Sequence, residues 1–243
     1  MKFRIEKISE DIYKITEPYF SEHANIFVFC GPIFDLVVDC GIGIENLRSF
    51  LLDQKFKPQV FLTHAHFDHC GGLRYFKPTE VLVVPAIRKN LQKRGLLGLQ
   101  YFNVKDFTKN AGALLKTDIP AFVSNFAVES ASDLNPYKSD SISNGHFSFE
   151  ILHTPGHTDD SCVLFDKAKK IIITGDTLYR GEIFCSLPNS NRELFMESLK
   201  KIQKLDFETV LPGHNEVLDK VQGMEMIGTW IQNLTRSISR GIQ

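Results

Sequence analysis

Val60-Phe61-Leu62-Thr63-His64-Ala65-His66-Phe67-Asp68-His69-Cys70-Gly71-Gly72 is the stretch on which the fold turns. Three apolar residues open it, as in a short buried strand, and paired glycines close it with a sharp turn. Three imidazoles and a carboxylate lie between them within six residues. In an extended segment alternate side chains share a face, so His64, His66 and Asp68 project together, and the turn brings His69 round to join them. Imidazole nitrogen and carboxylate oxygen are ordinary ligands for zinc, and crowding such groups without an ion desolvates them at a cost. A surface loop that happens to carry four polar residues is the plainer alternative. The H-x-H-x-D-H spacing, directly after a strand, favours the metal.

Three further candidates also stand just after apolar strands. Residues 149–152 lead to Thr154-Pro155-Gly156-His157, residues 171–173 to Thr174-Gly175-Asp176, and Val210-Leu211 to Pro212-Gly213-His214. Pro and Gly turn the chain at a strand end, so the following histidine points away from the sheet edge, where functional loops gather. Taken alone, either His157 or His214 reads more readily as a surface residue or a satisfied core residue. Their shared strand-end setting makes both candidate ligands, with Asp176. His23, His146 and His153 are weaker candidates, for contact with substrate or for orienting a ligand.

Outward from these residues, short apolar runs at 26–29, 36–38, 60–62 and 81–84 predict buried strands. Between the second and third, Ile44, Leu47 and Leu51 fall at helical spacing, which makes a β-α-β passage. The second half repeats the style, with strands at 147–152, 162–165, 171–173 and 209–211. A helix opens at Asn189-Ser190-Asn191, whose side chains suit an N-cap, and runs through Leu194, Phe195, Leu199 and Ile202. A last helix is expected over 216–235, with Val217, Val221, Met224 and Ile231 inward. The class is α/β, and 1–243 reads as one domain of two similar halves. Over 89–144 the periodicity fades while Phe, Tyr and Leu persist, including Tyr101, Phe102, Phe107, Leu114, Leu115, Phe122 and Phe126. That segment is either a lid over substrate or helices whose period is hidden.

Composition narrows the partners. The chain has 243 residues, 43% of them hydrophobic, enough for a full core. With 28 Lys+Arg against 29 Asp+Glu and no basic run, nucleic acid is not an expected partner. No stretch of about 18 apolar residues occurs, so no membrane insertion is expected. The alternating start Met1-Lys2-Phe3-Arg4-Ile5 lacks the apolar core of a signal peptide, which points to the cytoplasm. Five scattered cysteines without a C-x-x-C pair suit reduced thiols.

At the quoted residues the sequence resembles the metallo-β-lactamase superfamily, whose H-x-H-x-D-H, later His, bridging Asp and last His recur here in order across nearly the whole chain. The resemblance implies a four-layer αββα sandwich of two mixed sheets, with metals at one edge. It implies one metal on His64, His66 and His157, a second on Asp68, His69 and His214, and Asp176 bridging them. Two divalent ions are expected, zinc by default, with iron or manganese compatible with the same ligands. A hydroxide shared by the metals would attack a carbonyl carbon, with Asp68 also a proton shuttle. Tyr179, three residues after Asp176, resembles a family tyrosine that contacts the substrate carbonyl or leaving oxygen. Asp39 is expected to orient ligand histidines, or to cap the glycine turn that follows it.

Branches of the superfamily differ at these positions. True β-lactamases lack the bridging Asp and are exported, flavodiiron proteins carry Glu at the place of His66, and RNA-processing members add basic surface or a further domain. Thioesterases and lactonases remain. The resemblance is fuller to the acyl-CoA thioesterase group, through Ile12-Tyr13-Lys14-Ile15, Ala24-Asn25-Ile26, Val38-Asp39-Cys40-Gly41 and Gly175-Asp176-Thr177-Leu178-Tyr179. The expectation is therefore a hydrolase of a small-molecule substrate, a thioesterase acting on acyl-CoA or related thioesters. A lactonase is the alternative, as is a hydroxyacylglutathione hydrolase, although only 29 residues follow His214 for a glutathione-binding helical domain. A different class, a mono-iron persulfide or thiol dioxygenase, would use His64, His157 and Asp176 alone. The sequence leaves the oligomeric state open.

Overall fold

The computed structural model describes residues 3–19, 23–99, 119–128, 132–182 and 184–239. The chain divides into two compact units, Met1–Lys138 with Asn144–His146, and Ser139–Ser143 with Phe147–Gln243.

The first unit carries a six-stranded mixed sheet in the order β1-β2-β3-β4-β5-β6. Its strands are β1 (Arg4–Lys7), β2 (Ile12–Thr16), β3 (Asn25–Phe29), β4 (Asp35–Val38), β5 (Pro58–Phe61) and β6 (Val81–Leu82). Pairing is antiparallel as far as β4 and parallel from β4 to β6. Strands β3 and β4 are buried along their whole length, which is why they read as unbroken apolar runs. A parallel step needs a crossover, and α1 (Leu47–Asp53) supplies it between β4 and β5. Asn46 caps α1 by accepting the Ser49 N–H at 2.9 Å, and Leu47 and Leu51 are its buried face. After β5 come α2 (Phe67–Cys70), a 3-10 turn (Gly71–Tyr75), α3 (Pro85–Leu91) and α4 (Ile119–Ser124). Gly71 is dictated by close approach, since a Cβ there would lie 1.9 Å from the Ile42 carbonyl oxygen.

The second unit mirrors the style, with a mixed sheet ordered β12-β11-β10-β9-β8-β7. These are β7 (Ser141–Ser143), β8 (Ser148–His153), β9 (Cys162–Asp166), β10 (Ile171–Gly175), β11 (Thr209–Pro212) and β12 (Leu218–Asp219). Only β10 and β11 run parallel, and α5 (Arg192–Gln203), capped by Asn191, is their crossover. The helix α6 (Lys220–Ser239) buries Gly223, Ile227, Trp230 and Leu234 in a core shared with Phe195, Leu199, Ile202 and Phe207. Side chains of this size contribute about 1.5–3 kcal/mol each when fully buried.

The last helix starts at Lys220 rather than at 216, because Leu218 and Asp219 pair with Val210 and Thr209 as an edge strand. Of the residues expected inward, Met224 and Ile231 pack against the core, whereas Val217 precedes the helix and Val221 faces out. Val221 is 65% exposed, and Gly223 marks the buried line instead. A Cβ on Gly223 would sit 3.0 Å from a Val210 methyl, so the helix packs closely at a residue with no side chain to count. Strand β1 is exposed throughout and carries no burial pattern to read. Residues 100–118 and 129–131 of the aromatic segment, with Tyr101, Phe102, Phe107, Leu114 and Leu115, lie outside the described residues. Phe122 and Phe126 are described and buried. Among the described residues no helix is long and apolar enough to cross a membrane.

Candidate metal site

In the first unit the strand ends at Phe61, residues 62–66 are irregular, and Phe67–Cys70 is a helical turn. Strand alternation therefore does not present Asp68; the short helix does, and His69 follows it there. His64, His66, Asp68 and His69 are all buried. His64 Nε2 lies 3.0 Å from His66 Nδ1, and His69 Nε2 lies 3.7 Å from Asp68 Oδ2. Two donors each about 2.0–2.1 Å from a tetrahedral zinc would stand roughly 3.3 Å apart, so both spacings suit pairs of ligands.

The outward-facing nitrogens of these rings are fixed by Asp39, which lies at φ 63° just after β4. Its Oδ2 is 2.8 Å from His69 Nδ1, its Oδ1 accepts the Thr63 N–H at 2.8 Å, and the Thr63 hydroxyl donates to it at 2.9 Å. Since that hydroxyl spends its proton on Asp39, its lone pairs face His64 Nδ1 at 3.1 Å. Both imidazoles thus carry hydrogen on Nδ1, and Nε2 is left as the lone-pair donor. Asp39 thus hydrogen-bonds His69 directly and reaches His64 through Thr63.

Unit two holds the later residues in a similar arrangement. Asp176 splays its carboxylate between two imidazoles, with Oδ2 at 3.3 Å from His157 Nε2 and Oδ1 at 3.3 Å from His214 Nε2. His157 Nδ1 donates to the Phe184 carbonyl at 2.8 Å, which again assigns Nε2 as the donor to a metal. Gly213 lets the chain pass close to Asp176, for a Cβ there would lie 2.4 Å from Oδ1. Tyr179 is buried, with its ring 5.5 Å from that of His214 and 5.2 Å from that of Trp230. Its hydroxyl donates to the Glu182 carbonyl at 2.5 Å.

Among the described residues, the His and Asp groups that suit a metal ion are drawn from His64, His66, Asp68, His69, His157, Asp176 and His214. The weaker histidines fall outside them. His146 pairs with Asp11 at 3.1 Å, half-exposed, and His153 ends β8 with Nε2 on the Asp159 carbonyl at 3.0 Å. His23 is half-buried and belongs to none of these groups.

Sequence reasoning missed Thr63 and Glu17. Thr63 carried no signal beyond its place before His64. Glu17 is buried and accepts the backbone N–H groups of Ile42, Gly43 and Glu45. It thereby holds the turn whose Cys40 N–H donates to the His69 carbonyl at 2.8 Å. Burial pushes the Glu17 carboxyl up to about 7, against the lowering effect of those N–H groups.

The sequence matches the Metallo-beta-lactamase superfamily over residues 22–214. This chain belongs to that superfamily. It is similar to the acyl-coenzyme A thioesterase MBLAC2 of Gallus gallus, 30% identical over 230 residues that span 87% of this chain and 80% of that one. The Homo sapiens protein of the same name is 26% identical, over 86% and 80%. Hydroxyacylglutathione hydrolase GloC of Haemophilus influenzae is 25% identical over 206 residues, 76% of this chain and 84% of GloC. Among solved structures, TMB-1 aligns with TM-score 0.68 at 15% identity over 98% of this chain and 99% of its own. At that identity it shows the fold alone: α/β, with two mixed sheets. The protein is a hydrolase of the metallo-β-lactamase superfamily, and its His and Asp clusters suit divalent metal ions.

Proposed function

We propose that the protein is a binuclear metal-dependent thioesterase acting on acyl-CoA or related thioesters. The observation that carries the binuclear reading is the Asp176 carboxylate, each oxygen of which faces a different histidine. In this reading the two units work as one catalytic domain. His64, His66 and His157 would hold one ion and Asp68, His69 and His214 the other, with Asp176 the residue that would serve both. Zinc suits the mixed nitrogen and oxygen donors, and iron or manganese would fit them too. Bound divalent metals supply Lewis acidity and a nucleophilic water at neutral pH.

The remaining chemistry belongs to the chain. Asp39 and Thr63 hold the rings of His69 and His64 in one tautomer, and the Phe184 carbonyl does so for His157. Water oxygen adds to the thioester carbonyl carbon and the C–S bond breaks, giving a carboxylic acid and a thiol. Asp68 takes a proton from the attacking water and returns it to the departing sulfur. Tyr179 donates to the developing oxyanion after its hydroxyl leaves the Glu182 carbonyl. Similarity to MBLAC2 supports the thioester class, and similarity to GloC favours acylglutathione as the second substrate to try. A panel of acyl-CoA, acylglutathione and lactone substrates, read by thiol release and by proton release, tests the reading. Thiol release from acyl-CoA is expected. Lactone opening without thiol release would overturn it.

A further inference from the structure

Arg74 stands in the 3-10 turn that follows the ligand run, five residues after His69. It is exposed, and its guanidinium lies over two rings, 5.4 Å from the centroid of Phe122 and 5.6 Å from that of Phe126. Phe126 in turn meets Phe67 edge-on at 6.4 Å, and Phe67 sits between the proposed ligands His66 and Asp68. A continuous aromatic path thus leads from the ligand run to a cation at the surface. Among the described residues no acidic side chain pairs with Arg74. A cation–π contact does not use up the guanidinium N–H donors, which stay available to an anion. By contrast, Arg48 is bound in two places by Glu80, and Arg88 by the carbonyls of Leu134 and Ser132.

We infer that Arg74, on its Phe122 and Phe126 platform, is an anion subsite that holds a phosphate of the substrate's thiol carrier. This rests on the thioesterase reading for its ligand. A planar guanidinium held in place by two rings loses little further freedom when it forms paired hydrogen bonds to a phosphate. An uncharged thioester would not use it. In a chain of net charge -1 with no basic run, a single, placed cation can supply phosphate recognition.

The test uses the metal-loaded full chain and two non-hydrolysable thioethers with the same alkyl group, one of coenzyme A and one of phosphate-free pantetheine. Calorimetry measures binding to wild type and to Arg74→Met, which keeps an apolar stem on the rings. A charge-assisted contact corresponds to about tenfold or more in affinity. The coenzyme A thioether should therefore bind the variant about tenfold more weakly, and the pantetheine thioether should bind both alike. Arg74→Lys should restore part of the loss. Equal binding of the coenzyme A thioether to wild type and Arg74→Met would overturn the proposal. So would equal losses for both thioethers, or a loss for a glutathione thioether as large as for coenzyme A. Wild type that binds the coenzyme A thioether through Arg74 yet hydrolyses no thioester would sink the thioesterase reading and leave the subsite standing.

Discussion

Asp39→Asn isolates one charge in the support of the site while keeping the backbone, because asparagine tolerates the left-handed conformation that Asp39 adopts at φ 63°. Three donors converge on the carboxylate: the Thr63 N–H at 2.8 Å, the Thr63 hydroxyl at 2.9 Å and His69 Nδ1 at 2.8 Å. An amide offers one oxygen in place of two, so whichever way it is turned its NH2 meets a donor. Turned toward His69, it forces the ring proton onto Nε2, the atom proposed to bind metal. Hydrogen bonds to a charged group are worth about 1.5–3 kcal/mol, and losing the partner of a ligand histidine typically costs about 10–100-fold in metal affinity. We expect that loss at the ion held by His69, measured by competition against a chromogenic chelator. Melting of the chelated protein should fall far less than melting of the loaded one. An unchanged affinity for both ions would refute the orienting role of Asp39.

Gly213→Ala places a Cβ 2.4 Å from Asp176 Oδ1, so thermal unfolding should show a loss of about 1–3 kcal/mol together with reduced metal content; normal metal content would contradict the close-packing account. Tyr179→Phe should lower turnover per bound metal by about a hundredfold with metal content unaltered, and unaltered turnover would exclude an oxyanion role. Glu17, with its carboxyl raised by burial from 4.5 to about 7, binds its proton more tightly when folded. Its contribution is complete below about pH 4.5 and lost as pH rises through 7, a span worth about 3 kcal/mol. Denaturant unfolding from pH 5 to 8 should show that decline in wild type and a flatter curve in Glu17→Gln, whereas parallel curves would contradict it.

The strands beside the His and Asp clusters were legible because fully buried strands write their burial as runs of Val, Ile, Leu and Phe, as at β3, β4 and β9. The His and Asp run was legible as a candidate metal site because three histidines and an aspartate at that spacing have few structural uses. Asp68 was found for a partly wrong reason, since it sits on a helical turn rather than on an extended strand. Strands β1, β2, β7 and β12 escaped: β1, β7 and β12 are short edge strands that leave no periodic trace, and β2 is only partly buried, without alternation. The inward face of α6 was read in part: Met224 and Ile231 do pack inward, but Val221 does not, and Gly223, buried with no side chain to signal it, was not seen. Asp39 was singled out by its place after a buried strand, but Thr63 and Glu17 act through hydrogen bonds to groups distant in sequence. No local pattern encodes those.

The central claim is a site for two ions, and metal content per chain is the direct test, measured by elemental mass spectrometry on protein purified without chelator. Two divalent ions per chain are expected in the wild type, with loss of metal in Asp176→Ala. A single iron per chain, or full metal content in Asp176→Ala, would contradict it.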